Sequence, residues 1–266
     1  MSDYRERKAL IGGGAVVWTR TAGAGPQRVL PDGCTDLIWS GTGPDGELIV
    51  AGPDTRAHLA SGPPGTHAVG LRFAPGAGPA VLGVPAHELR DLRVPLAALW
   101  PDAEVRRLAE RIAERTAGRA AERIAGRTDG GITGRAAERI AGRESAPGRV
   151  LEEAALDRLR TAEPPDPVLA TIVAGASRGT GVAGIAAAVG LGERQLHRRS
   201  LAAFGYGAKT LGRVLRLNRA LDLARTGVRF AEVAATAGYA DQAHLAREVR
   251  TLTGVPLSRL LRAPGG

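Results

Sequence analysis

The sequence predicts an α+β protein of several domains: a β-rich N-terminal domain like a sandwich or barrel, and an all-α C-terminal domain with two helix-turn-helix motifs. Three observations predict it. Short β-prone runs alternate with Pro- and Gly-containing turns over residues 1–100, residues 101–165 are rich in Ala, Glu and Arg and contain a duplication, and residues 166–266 are helical in pattern and nearly free of strand signals.

Charge follows the same division. The 266 residues carry 36 Lys and Arg against 27 Asp and Glu, a formal net charge of +9. Residues 1–100 hold 9 basic and 9 acidic side chains and residues 101–165 hold 13 and 12, whereas residues 166–266 hold 14 and 6, a net +8. A basic domain beside a neutral one is the pattern of a polyanion-binding module attached to something else, because clustered cations release counterions from phosphate. No apolar stretch approaches the ~20 residues that span a bilayer, and Met1-Ser2-Asp3-Tyr4-Arg5-Glu6-Arg7-Lys8 leads into a Gly-rich segment without the apolar core of a signal peptide. The expectation is a cytoplasmic protein with no membrane partner. The single cysteine, Cys34, excludes an internal disulfide and fits a reducing compartment.

In the N-terminal domain, Val16-Val17-Trp18, Leu37-Ile38-Trp39, Leu48-Ile49-Val50 and Ala68 to Phe73 are the strand candidates. Turns at Pro31-Asp32-Gly33, Gly43 to Gly46, Gly52-Pro53-Asp54 and Pro63-Pro64-Gly65 bound them. Ala86 to Arg90 and Pro95 to Trp100 read as short helical segments that close the domain.

Residues 101–165 read as a helical connector. Gly118 to Arg127, GRAAERIAGR, recurs at Gly134 to Arg143 after a shift of 16, and Ala109 to Arg115 is an imperfect third copy. Each copy favours helix, while Gly126, Gly130 to Gly134 and Pro147-Gly148 are expected to break any long one and leave no heptad for a coiled coil. Pro164-Pro165-Asp166-Pro167 marks the next boundary.

Beyond it, Val168 to Ala176 opens the helical domain and an amphipathic segment from Ala208 to Arg225 lies in its middle. Val182 to Val189, the turn Gly190-Leu191-Gly192 and Glu193 to Phe204 form a helix-turn-helix pattern. Phe230 to Ala237, the turn Gly238-Tyr239-Ala240 and Asp241 to about Leu252 repeat it, with Val233 matching Ile185 after 48 residues and Leu245 matching Leu196 after 49. With the leucines aligned, Arg194, His197 and Arg198 share one outward face, and Ala243, Ala246 and Arg247 share its counterpart. Arginine pairs bidentately with guanine, His or Gln reaches base edges, and alanine meets the thymine methyl, so these faces suit two unlike half-sites of double-stranded DNA. Gln242 and His244 are candidates for base or phosphate contact, as are Arg199, Arg213, Arg216 and Arg219 for phosphate; Tyr239 reads as a core aromatic. An 18-residue connecting helix spans roughly 27 Å, close to one turn of DNA.

These residues resemble the AraC/XylS family of bacterial transcription regulators. The likeness covers about Asp166 to Arg262 and is carried by Glu193 to Arg199, Phe204-Gly205-Tyr206-Gly207, Leu215 to Leu221 and Ala237 to Glu248. The chain departs from it at Ser200 and Val249, where the family has mostly Phe, and at Ala208, where it often has Pro. Pro31 to Trp39, Ala51-Gly52-Pro53, Val69 to Gly76 and Leu82 to Trp100 resemble an uncharacterised domain found ahead of this module in actinobacterial members. The resemblance implies a sequence-specific, non-enzymatic transcription regulator that binds DNA through Arg194, His197, Arg198, Arg199, Gln242, Ala243, His244 and Arg247. It also implies a small-molecule effector or a homodimer contact at the N-terminal domain and RNA polymerase as a further candidate partner. The alternative from another class is a nonspecific DNA-binding protein with an N-terminal protein-interaction module.

No cofactor, metal or catalytic set is expected. Cys34 lies in a turn beside Asp32 and Asp36, which raise its pKa, with no second thiolate for a metal. His58, His67 and His87 lack the close His-x-His spacing of a metal-binding strand. Turn formation and strand-end capping account for Asp32 and Asp36, and Gly12-Gly13-Gly14 has neither the preceding strand nor the Lys-Ser/Thr of a phosphate loop.

Overall fold

A computed structural model of the chain describes residues 4–41, 46–125 and 146–262. The N-terminal part is built on an open antiparallel sheet of β1 (Arg5–Lys8), β2 (Val16–Thr21), β4 (Thr35–Gly41), β5 (Glu47–Ala51), β7 (His67–Phe73) and β8 (Arg93–Pro95) in the order β1-β2-β7-β4-β5-β8. A ribbon of β3 (Gln27–Val29) and β6 (His58–Ala60) forms a second, two-stranded sheet. The four strand candidates fall in β2, β4, β5 and β7, and Ala86–Glu88 and Leu96–Ala98 are 3-10 turns.

Side chains alternate across the larger sheet. Val17, Leu37, Trp39, Leu71 and Phe73 point to one face, which α1 (Gly78–Leu82), α2 (Asp102–Ala125) and α3 (Ala146–Leu159) cover. Leu108 and Ile112 of α2 and Val150 and Leu151 of α3 belong to the same buried cluster. The described parts of 101–165 thus share the core of the N-terminal sheet. Glu152, 1% exposed, is neutralised by Arg7 of β1 through two hydrogen bonds of 2.9 and 2.7 Å and accepts a third from the Leu10 amide at 2.7 Å. A buried carboxylate with all three contacts fixes α3 on the strand edge, where an unpaired one is strongly destabilising. Pro147 and Gly148 do not break a helix, as expected from sequence, but lie in the first turn of α3, where proline gives up no helical hydrogen bond. Of the duplication, residues 126–145 lie outside the described residues.

The C-terminal part consists of α4 (Val168–Ser177), α5 (Val182–Ala188), α6 (Glu193–Phe204), α7 (Ala208–Arg225), α8 (Phe230–Ala237), α9 (Gln242–Thr253) and α10 (Leu257–Arg262). It has two cores strung on α7. Leu211 and Val214 pack with Ile172, Ile185, Leu196 and Phe204, while Leu217 and Leu221 pack with Val233, Tyr239, Leu245, Val249 and Leu252. One helix therefore sets the spacing of both motifs.

The sheet domain touches both motifs. At the end of α6, Gly205 takes φ +81° against Pro53 and the Ala86 carbonyl, and Arg90 Nη1 donates to the Gly205 carbonyl at 3.3 Å. Asn218 of α7 donates to the Pro31 carbonyl at 3.0 Å. The last turn of α9 accepts from Arg28 Nη1 at the Thr253 carbonyl, 2.6 Å, and from the Ala57 amide at the Leu252 carbonyl, 2.7 Å.

Candidate nucleic-acid interface

Each motif is shaped by its turn. Gly190 and Gly238 adopt φ +66° and +85°, the left-handed geometry a side chain resists, and the residue after each, Leu191 or Tyr239, donates its amide back to Ala186 or Ala234 at 2.9 and 2.8 Å. The start of each second helix is fixed by equivalent residues. Gln195 Oε1 accepts the Gly192 amide at 3.2 Å, and His244 Nδ1 accepts the Ala240 amide at 3.3 Å. Asp241 caps α9 by accepting the His244 amide at 2.6 Å.

This leaves one exposed face on each second helix. Arg194, His197 and Arg198 are exposed on α6, and Gln242, Ala243, Ala246 and Arg247 on α9. Among the described residues, the side chains of Arg194, Arg198 and Arg247 have no ion-pair partner, so three guanidiniums on the two second helices are available to an anionic ligand. His197 sits over the backbone of Gly207, close enough that a Cβ there would lie 2.7 Å from its Nδ1.

Two of the sequence candidates on these helices also have partners within the protein. His244 is half-buried, its ring edge-on to Tyr239 at 5.3 Å and its Nδ1 committed to the turn. Arg199 is exposed but bonded to Asp166 Oδ2 at 2.8 Å, which ties α6 to the start of α4. The position matching Arg199 in the second motif is Glu248, and it plays the same part with reversed charge. Its carboxylate accepts from Arg213 at 2.7 and 3.2 Å and lies 3.8 Å from Arg216, whose guanidinium stacks on Tyr239 at 4.8 Å. Burial raises the Glu248 pKa, but the hydrogen bond and charge of Arg213 outweigh it and hold the carboxyl below its ordinary value. Arg213 and Arg216 are therefore engaged within the protein; the exchange of Arg199 for Glu248 between aligned motifs was the signal for this. Of the substituted core positions, Ser200 and Val249 are both 0% exposed, and the Ser200 hydroxyl finds no partner among the described residues.

A further concave feature lies on the outer face of the large sheet. Below the β3–β6 ribbon and α7 is a cavity of about 690 Å³. Its floor is the Trp18 ring, which lies across the backbone of Gly70 so that any side chain there would overlap it. Trp18 Nε1 donates to Asp36 Oδ1 at 2.5 Å, and Arg72 Nε bridges Asp36 and Asp32 at 3.1 and 3.3 Å. Asp36 is thus not a strand-end cap, as expected from sequence, but a buried carboxylate on the cavity face of β4; burial pushes its pKa up to about 6 against the pull of Arg72 and Trp18. Asp32 does form the expected turn, accepting the Cys34 amide at 2.9 Å. Burial, with Asp32 and Asp36 adding to it, raises the Cys34 thiol well above its ordinary value. Among the described residues no three His, Cys, Asp or Glu side chains come together as a metal site, and no helix is long and apolar enough to cross a membrane.

Comparison with known proteins matches two segments of the chain. Residues 185–263 match the model of a helix-turn-helix domain, and residues 15–95 match that of a domain of unknown function (DUF6597). No curated protein sequence matches the chain. Similar solved structures include an apo point variant of ToxT from Vibrio cholerae, at TM-score 0.48 and 12% identity over 97% of this chain and 98% of that one. ToxT from Vibrio cholerae with an unsaturated fatty acid bound is another, at 0.45 and 10% over 96% of each chain. The chain thus carries an AraC-type DNA-binding helix-turn-helix domain behind a domain of unknown function.

Proposed function

We propose that this regulator is sequence-specific, that α6 and α9 read two successive major-groove segments, and that a small molecule in the sheet-domain cavity controls it. The observation that carries the DNA reading is the pair of exposed faces, Arg194-His197-Arg198 and Ala243-Ala246-Arg247, mounted on two motifs that share the single helix α7. Phosphate contacts from arginine and helix N-termini position such a domain, and base contacts specify its site. Gln242, at the first turn of α9, belongs with the reading face, whereas Arg199 and His244 support the reading by setting the pose of their helices. The effector reading is supported by the cavity's placement, since Asn218 and Arg225 of α7 form part of its wall. On this reading the sensor comprises the sheet together with α1, α2 and α3.

Selection of binding sites from random DNA by the full-length protein at near-physiological salt tests the proposal. A bipartite motif of two unlike half-sites about one helical turn apart, bound ~10³-fold or more over scrambled DNA, is the expected result. Binding without enrichment, lost as salt rises, would leave a nonspecific DNA-binding protein.

A further inference from the structure

The effector cavity has two chemically different ends. At one end two charge clusters are matched internally: Arg72 bridges Asp32 and Asp36, and Arg93 holds Asp54 through two hydrogen bonds of 2.5 Å each. The other end follows from the strand register. Arg20 of β2 pairs with Ala68 of β7, and Ala68 pairs with Ser40 of β4, so these residues make one cross-strand row on the cavity face. Arg20 and Ser40 stand two strand spacings apart, about 10 Å, with only the Ala68 methyl between them.

Donors are in surplus in this row. Among the described residues, Arg20 gives one hydrogen bond, Nη1 to Gln27 Oε1 at 2.5 Å, and its Nε is buried without a partner. Burial lowers its pKa, and among the described residues no carboxylate offsets that cost. The acid nearest in register, Glu6, pairs with Trp18 in the neighbouring strand and accepts the Tyr4 hydroxyl at 2.9 Å. A half-buried guanidinium that lines a cavity with no counter-charge among the described residues gains a charge-assisted partner when an anion enters. The Ser40 hydroxyl and the Gln27 amide nitrogen add further donors, while the Trp18 ring over Gly70 and the side chains of Ile38 and Leu59 offer apolar contact.

We infer that the cavity is an organic-anion site: Arg20, with Ser40 and Gln27, takes a carboxylate or similar planar oxyanion, and the apolar body of the ligand lies over Trp18. This rests on the effector reading and names its ligand class. The carboxylate forms the charge-assisted pair that Arg20 lacks, and the ring or chain covers the floor without disturbing the matched charges at the far end.

The test uses the full-length protein with three probes of one shape, 3-phenylpropionate, 3-phenylpropanamide and 3-phenylpropylamine, each titrated while tryptophan fluorescence and thermal unfolding are followed. Trp39 packs on the opposite face of the sheet and Trp100 in the same helical core, so the fluorescence change belongs to Trp18 and is absent from Trp18→Phe. The carboxylate is expected to bind at least tenfold more tightly than the amide and the amine not at all. Arg20→Gln is expected to abolish that preference, Arg20→Lys to restore part of it, and Ser40→Ala, which leaves the cation in place, to weaken carboxylate binding with the fold unchanged. A carboxylate that binds no better than its amide, or an Arg20→Gln protein that keeps the preference, overturns the assignment while leaving an effector site of another class. Binding of none of the three at millimolar concentration, with DNA affinity unchanged by each, overturns the assignment and the effector reading together.

Discussion

Arg28 of the sheet domain and Thr253 of the DNA-binding domain are joined directly: the guanidinium Nη1 lies 2.6 Å from the carbonyl oxygen of the last residue of α9. With the Ala57 amide on the Leu252 carbonyl, it satisfies helix-end carbonyls that would otherwise need water or a glycine cap alone. Arg28 lies on β3 and Ala57 immediately precedes β6, so the ribbon that roofs the cavity is also the element bonded to the second recognition helix. The first motif is held differently, by close contact between Gly205 and the Pro53 and Ala86 backbone region.

Loss of the Arg28 bond therefore acts on one motif. Arg28→Ala is expected to increase amide exchange through the last turn of α9 about tenfold while α5 and α6 keep their protection, since a hydrogen bond to a charged donor contributes about 1.5–3 kcal/mol. Hydrogen exchange read by mass spectrometry checks this, and equal loosening of both motifs would show that Arg28 supports the whole domain.

Gly205 is the corresponding point for the first motif. An added Cβ meets Pro53 Cγ at 2.6 Å and the Ala86 carbonyl oxygen at 3.1 Å, and the φ of +81° disfavours any side chain. Gly205→Ala is expected to destabilise the docked protein by about 1–3 kcal/mol through strain and overlap. In calorimetry the single transition should broaden or split as the domains part, whereas a uniform downward shift would place the damage within α6.

The helical domain was legible because its boundaries are written locally. Gly192, Gly205 and Gly207 flank α6 and the start of α7, and apolar spacing fills the helices between them, so sequence and structure agree on Glu193–Phe204 and Ala208–Arg225 to the residue. In the sheet domain the long strands alternate visibly, but β3, β6 and β8 have three residues each and β1 reads RERK, too short or too charged to register. The role of Glu152 depends on Arg7, 145 residues away, and that of Asp36 on Trp18 and Arg72 in neighbouring strands. Local pattern carries no record of such pairings. Leu108 and Ile112 did leave a trace, an i, i+4 apolar stripe among charges, which the neighbouring duplication obscured.

Two arginines separate base reading from scaffold. Arg198→Ala is expected to weaken specific binding by about 1–3 kcal/mol and relax preference in one half-site, because its exposed guanidinium is available for a base edge. Arg216→Ala is expected to leave the salt dependence of DNA binding unchanged and instead lower the melting temperature, since its guanidinium is held by Tyr239 and Glu248. A salt slope reduced by about one unit would make Arg216 a phosphate contact.

Asp36 gives the pH prediction. Burial raises its pKa from 3.8 to about 6, so between those values the folded protein holds a proton that the unfolded chain has released. Stability from this group is complete below the unfolded value and is lost as pH rises through the folded one. Asp36→Asn, fixed in the neutral form, keeps an acceptor for Trp18 Nε1 but gives up the charge facing Arg72. Its stability relative to the native protein should therefore climb as pH is raised from 4 to 7, by at most about 3 kcal/mol. Other carboxylates titrate in the same range, and taking the difference between the two proteins removes their contribution. Denaturant unfolding at a series of pH values checks it. A difference that stays level would mean that Arg72 and Trp18 fully offset the burial of the charge, and one that falls would mean that they overcome it.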